Sequence, residues 1–188
     1  MLEMKVEKEK LRREMIKMRG AMTPAEVEEK SHKINALLLQ IPEYAAANAI
    51  MFYVPNGNEV SIDEVIKEAL ASGKTILLPA ASGQSLIPVE IKEYPEGIET
   101  GPLKMGQPKD KTEYTGKIDV AVIPGMAFTE SGHRLGRGGG HYDRMLEARK
   151  FFRIGVAYES QMRTFPAEAH DQLMDVIVTE SRAIRCRQ

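Results

Sequence analysis

An α/β fold built around a mostly parallel sheet is what this sequence predicts, on three observations. Short apolar runs that read as strands alternate with longer helical patterns along the chain. Those runs are apolar throughout rather than alternating, as in a parallel sheet covered on both faces. No repeat, low-complexity tract or linker divides the sequence, so residues 1–188 are expected to form a single domain with room for a substantial core.

The elements follow in order. Residues 3–19 and 24–40 read as helices. The second has a sharp start: Thr23 as N-cap, Pro24 at the first helical position and Glu26 three residues after the cap. Val27, Ile34, Leu37, Leu38 and Ile41 then recur at a helical period. "NAIMFYVP" (48–55) ends at a proline and reads as a buried strand, and "SIDE" (61–64) reads as a second capping box opening a helix to about Ala71. "KTILLPA" (74–80) and the weaker "SLIPVEI" (85–91) are the next strands. Residues 92–117, rich in Pro, Gly, Lys and Glu, are expected to be a long surface excursion. "KIDVAVIPGMAF" (117–128) carries a strong strand, a helix runs from about His141 to Lys150, and "FFRIGVAY" (151–158) and "DVIVTE" (175–180) close the pattern as strands.

Composition narrows the function. Hydrophobic residues make up 43% and charged residues 28%, an ordinary globular balance. A formal net charge of −1 argues against a general nucleic-acid or membrane-surface binder, which would carry a basic excess. The lone cysteine, Cys186, excludes a disulfide within the chain and a thiolate zinc site. The opening "MLEMKVEKEKLRREM" is too charged for a signal peptide, and no apolar run approaches the ~20 residues of a membrane helix. A soluble cytoplasmic monomer, with no membrane or nucleic-acid partner, is the expectation.

The densest chemistry lies in "RLGRGGGHYDR" (134–144), between a strand and a helix N-terminus, where ligands bind in such sheets. Gly136, Gly138, Gly139 and Gly140 would let successive backbone N–H groups face one concavity, with the helix from His141 adding its positive dipole end. Arg134 and Arg137 supply charge-assisted donors for an anion. The stretch is neither a P-loop nor a dinucleotide fingerprint, and a flexible loop with solvated arginines is the plain alternative. Asp143 suits the first helical turn on dipole grounds alone, or a magnesium ion held on phosphates.

Elsewhere the residues are less specific. Asp171, in "EAHDQLMD" (168–175), could complete a metal site with Asp143 or serve as a turn residue. Lys8, Arg12 and Arg19 share roughly one face of the first helix, and Leu11, Met15 and Met18 another. The basic face is either solvated or turned to a ligand. His133, His141 and His170 lack metal-ligand spacing, and no G-x-S-x-G elbow is present.

"KEKLRREM", "NEVSIDEVI", "LGRGGGHYDR" and "HDQLMDVIVTE" stand in the order seen in 5-formyltetrahydrofolate cyclo-ligases, and the sequence resembles that family from about residue 5 to residue 180. The resemblance implies a three-layer α/β/α sandwich of the ribose-phosphate isomerase and CoA transferase kind. It implies ATP- and Mg2+-dependent closure of 5-formyltetrahydrofolate to 5,10-methenyltetrahydrofolate, through a phosphorylated formyl intermediate. By position, Lys8 and Arg12 look like ATP contacts. Arg134, Leu135, Gly136, Arg137, Gly138, Gly139, Gly140, His141 and Tyr142 look like the phosphate cradle. Val54 and Glu59 fall where the family contacts folate, and Arg137 to His141 line the place where folate and ATP meet. Arg137 and Tyr142 are the expected catalytic residues, with Asp143 and Asp171 matching the magnesium positions. Two positions depart from the pattern: His141 replaces a tyrosine, and Gln107 replaces an acid. A sugar-phosphate isomerase-like enzyme and a non-catalytic nucleotide- or RNA-binding module are the alternatives on the same kind of fold.

Overall fold

In a computed structural model describing residues 2–166 and 171–186, a seven-stranded sheet runs through the molecule. The first two helices are α1 (Leu2–Gly20) and α2 (Pro24–Leu38). The Thr23 capping box forms as predicted: Glu26 N–H donates to Thr23 Oγ1 at 3.3 Å, and Thr23 N–H to Glu26 Oε2 at 2.7 Å. A short α3 (Pro42–Ala46) leads into β1 (Ala49–Met51).

The second predicted capping box does not form. Helix α4 (Asp63–Ala71) is capped at Ile62 with no side-chain bond. Ser61 is instead engaged by α2: its N–H donates to Ser31 Oγ at 2.9 Å and its carbonyl accepts from Asn35 Nδ2 at 2.9 Å. That tertiary anchoring holds Ser61 outside the helix, which starts later.

The strands β2 (Thr75–Ser82), β3 (Ser85–Ile91), β6 (Val120–Pro124), β9 (Phe152–Val156), β10 (Val176–Val178) and β11 (Ala183–Arg185) join β1 in the order β11-β10-β9-β6-β1-β2-β3. Neighbours from β10 to β2 pair parallel, and both edge strands pair antiparallel. The fully buried β1 and β10 are the apolar runs expected of a sheet covered on both faces. Ile50, Ile76, Val122 and Ile154 pack on one side with Ile34, Leu38, Val65 and Ile66 from α2 and α4. Met51, Leu77, Ile123 and Ile177 pack on the other with Met145 and Leu146 of α5 (His141–Ala148). The result is the expected α/β/α layering.

Residues 92–117 are more ordered than a plain excursion: β4 (Ile98–Thr100) and β5 (Gly106–Pro108) form a small antiparallel pair. After β6 the chain makes a second hairpin, β7 (Ala127–Phe128) with β8 (Arg134–Leu135). Helix α1 lays Leu11, Met15 and Met18 on Met126, Ala127, Leu135 and Phe165, a third apolar cluster apart from the two faces of the sheet. Among the described residues no helix is long and apolar enough to cross a membrane.

Candidate active site

The sheet order creates a switch point. Strands β1 and β6 are parallel neighbours, yet the chain leaves β1 toward β2 and leaves β6 toward β9. The loops beyond their carboxyl ends therefore diverge and leave a crevice. A cavity of about 250 Å³ occupies that position. Tyr53 and Val54 line it from the end of β1, and Pro124, Gly125 and Met126 from the end of β6. Glu59 and, from the segment that follows β7, Arg134, Gly136, Arg137 and Gly139 to Asp143 supply its polar groups, while Leu135 and Gly138 do not line it.

Glu59 belongs to the β1–α4 loop and is buried. Tyr53 fixes that loop, its hydroxyl donating to the Val60 carbonyl at 2.6 Å. The Glu59 carboxylate accepts from the Asn56 N–H at 3.1 Å through Oε2. Its Oε1 accepts from Arg137 Nη2 at 2.7 Å and lies 3.6 Å from Arg19 Nη1. The structure thus brings together Glu59 and Arg137, predicted as folate and phosphate contacts 78 positions apart.

Two of the four glycines in the segment use their conformational freedom. Gly138 has φ +100° and Gly140, which caps α5, has φ +66°, both in the left-handed region where a side chain is strained. No side chain caps α5, and its first residues, with Gly140 before them, line the cavity. Asp143, in its first turn, receives Arg134 Nη2 on Oδ1 at 2.7 Å. Arg134 is buried, gives Nη1 to the Pro124 carbonyl at 3.3 Å and lies 5.2 Å over the Tyr142 ring. Much of its hydrogen-bonding capacity therefore serves the site's own architecture. Its Nε and the Tyr142 hydroxyl are buried with no hydrogen-bond partner among the described residues. Burial, and then the Glu59 charge, hold the Tyr142 hydroxyl well above its ordinary pKa, so it keeps its proton and is available as a hydrogen-bond donor.

Helix α1 docks its basic face on this loop. Arg12 Nε donates to the Gly136 carbonyl at 2.9 Å. Lys8 Nζ lies 3.6 Å from Asp171 Oδ2, and His133 Nδ1 lies 3.9 Å from the same oxygen. The two predicted magnesium ligands thus face different cations, Asp143 to Arg134 and Asp171 to Lys8. Among the described residues no group of three or more His, Cys, Asp or Glu is placed to hold a metal ion. A magnesium ion carried on phosphates needs only one or two protein carboxylates, and Asp143, 39% exposed on the cavity wall, fits that demand. His170 lies outside the described residues.

Of the two departures, His141 lines the cavity. Gln107 is structural: it is buried, accepts from the Ala81 N–H at 3.1 Å and donates to Glu99 Oε1 at 3.0 Å, tying β5 to β2. Sequence reasoning missed Tyr53, Leu86, Leu103 and Met105 as wall residues. Tyr53 was findable as the residue closing the β1 run. Leu103 and Met105 come from the turn between β4 and β5 and had no local signal.

The model of the 5-formyltetrahydrofolate cyclo-ligase family matches residues 4–180. The 5-formyltetrahydrofolate cyclo-ligase of Escherichia coli K12 is 27% identical over 87% of this chain and 95% of its own. That of Mycolicibacterium smegmatis is 32% identical over 74% of this chain and 77% of its own. The solved 5,10-methenyltetrahydrofolate synthetase of Aquifex aeolicus superposes with a TM-score of 0.84 at 30% identity, covering 96% of this chain and 93% of that one.

Proposed function

The chain belongs to the 5-formyltetrahydrofolate cyclo-ligase family, and on that premise we propose that it closes 5-formyltetrahydrofolate to 5,10-methenyltetrahydrofolate at the expense of ATP. The formyl oxygen is a very poor leaving group. ATP, when bound, supplies the phosphoryl group that makes it a good one. The formyl oxygen bonds to the terminal phosphorus as the bond to ADP breaks. Nitrogen 10 of the folate then attacks the activated carbon and gives up its proton, and the carbon–oxygen bond to phosphate breaks as the ring closes.

Phosphoryl transfer asks a protein for positioning and charge neutralisation more than for covalent help. Lys8 and Arg12 on α1, with Arg134 to Tyr142, are the groups for the nucleotide. The backbone of Gly136, Gly138, Gly139 and Gly140 allows close approach, and Leu135 anchors the segment in the third apolar cluster. Asp143, on the cavity wall, would hold magnesium, which would neutralise phosphate charge; Asp171, which faces Lys8, would join it only as a second carboxylate from outside the cavity lining. Val54 and Glu59 take the folate, Glu59 accepting from the pterin N–H groups. Arg137 neutralises the transferred group, and the unpartnered Tyr142 hydroxyl donates a hydrogen bond to it.

The observation that carries this reading is the Arg137–Glu59 contact at the switch point, 2.7 Å, where an anion-binding loop meets a buried acceptor. Mixing protein, 5-formyltetrahydrofolate, magnesium and ATP should raise the methenyl absorbance band, and omitting ATP should leave the baseline flat. Growth of the band without ATP, or none with it, refutes the proposal.

A further inference from the structure

Two arginines reach the same oxygen of Glu59, and they are held very differently. Arg19 closes α1 with a side chain 12% exposed, whereas that of Arg137 is 49% exposed. The Arg19 carbonyl accepts from Asn58 Nδ2 at 2.7 Å, so the loop that carries Glu59 is tied to the backbone of Arg19 itself. The Arg19 guanidinium also rests against Met126 Sδ at 3.6 Å, beneath the cavity wall. Arg137 sits between Gly136 and Gly138, on the segment with the greatest backbone freedom.

We infer that Arg19 is a positioning residue for the folate-binding carboxylate: it faces the Glu59 charge and holds the carboxylate in place while Arg137 exchanges away. This rests on reading Glu59 as the acceptor for the pterin. As long as Arg137 donates to Oε1 at 2.7 Å, that oxygen is partly used. Substrate N–H groups arriving at Glu59 replace that donor and release Arg137 toward the phosphoryl group. A carboxylate 8% exposed would then stand without a cation, which is costly. Arg19 prevents this. At 3.6 Å it compensates the charge from beyond good hydrogen-bond distance and leaves the acceptor oxygen open. The arrangement also makes occupation of the folate side a condition for freeing Arg137, which links the two halves of the site.

The test is a comparison of Arg19→Gln and Arg19→Lys with the wild type, following the methenyl band under saturation by each substrate in turn. Arg19→Gln is expected to raise the KM for 5-formyltetrahydrofolate about tenfold, the cost of weakening one charge-assisted contact. KM for ATP should hold within about twofold, because Arg19 touches no group assigned to the nucleotide. Arg19→Lys should bring the folate KM back to within about threefold of wild type, since it restores the charge without the planar fork. If Arg19→Gln does not fold, Arg19→Met takes its place, with the same split between the two KM values and the same rescue by lysine expected. Equal rises in both KM values, or no rescue by lysine, overturn the inference and leave the function standing. A wild-type protein that forms no methenyl product removes both together.

Discussion

Arg12 donates from Nε to the carbonyl oxygen of Gly136, 2.9 Å away and 124 positions later in the chain. The amino-terminal helix therefore holds the glycine segment by its backbone, and the same guanidinium packs near Gly138, where an added Cβ would meet Arg12 Cζ at 3.6 Å. Helix α1 is a structural part of the loop it faces.

Arg12→Ala tests that dependence. A hydrogen bond to a charged group contributes about 1.5–3 kcal/mol, so the KM for ATP should rise about tenfold or more. The thermal shift that ATP induces in the wild type should shrink in the variant, as read by a melting curve with and without the nucleotide.

Asp143→Asn separates two roles of one carboxylate. Asparagine can still accept from Arg134, so circular dichroism should change little, while the melting temperature should fall because the buried guanidinium loses its counter-charge. Turnover at saturating magnesium should fall by about a hundredfold or more, as expected when a charge acting on transferred phosphate is removed. Near-normal turnover would show that Asp143 serves only as the partner of Arg134.

Gly140→Ala places a side chain where φ is +66°, with its Cβ 2.7 Å from Arg144 Nη1. The left-handed conformation costs about 1–2 kcal/mol for a residue with a Cβ. Arg144 must also leave the Gln84 and Gly139 carbonyls that it bonds at 2.6 and 2.7 Å. Chemical denaturation should register the stability loss, and the initial rate of methenyl formation should fall further than stability alone explains.

Acid stability should carry a signature of Asp119. Its side chain meets Lys117 and accepts from the Ala49 and Asn48 N–H groups, which hold its pKa down to about 2. A carboxyl depressed in the folded state stabilises above its unfolded pKa, about 3.9, and loses that contribution as pH falls toward about 2. The melting temperature of the wild type should therefore drop between these two values. In Asp119→Asn the drop should be smaller, from a lower starting point.

How far the sequence could be read depended on the range of each signal. The Thr23 capping box and the apolar β6 run are local, and both stand as predicted. Ser61 carries the same kind of local signal as Thr23, but two bonds from α2 override it. The pieces of three to five residues, α3, β4, β5 and β11, are too short for periodicity to declare them. At the site, composition alone singled out the glycines and arginines, most of which the structure places around the cavity. It did not single out Glu59, by residue type an acid before a helix, which only the family resemblance marked. Arg19 was visible as one charge on a basic face, with nothing to distinguish it from a solvated residue. Its meaning lies in a contact 40 positions away, which no local pattern encodes.

The third apolar cluster has a consequence for how the protein breathes. Met15 and its neighbours on α1 bury against Met126, Ala127, Leu135 and Phe165, and share no cluster with either face of the sheet. Helix α1 is thus expected to undock as a cooperative unit at a lower free energy than global unfolding, once its polar ties to Gly136, Asn58, Asp171 and Glu59 part. Amide protons of α1 should exchange with deuterium earlier than those of β6, and nucleotide should slow them selectively. The binding site would then be assembled and disassembled continually on an intact sheet, and a compound that wedges beneath α1 would inhibit without competing for the shape of either substrate.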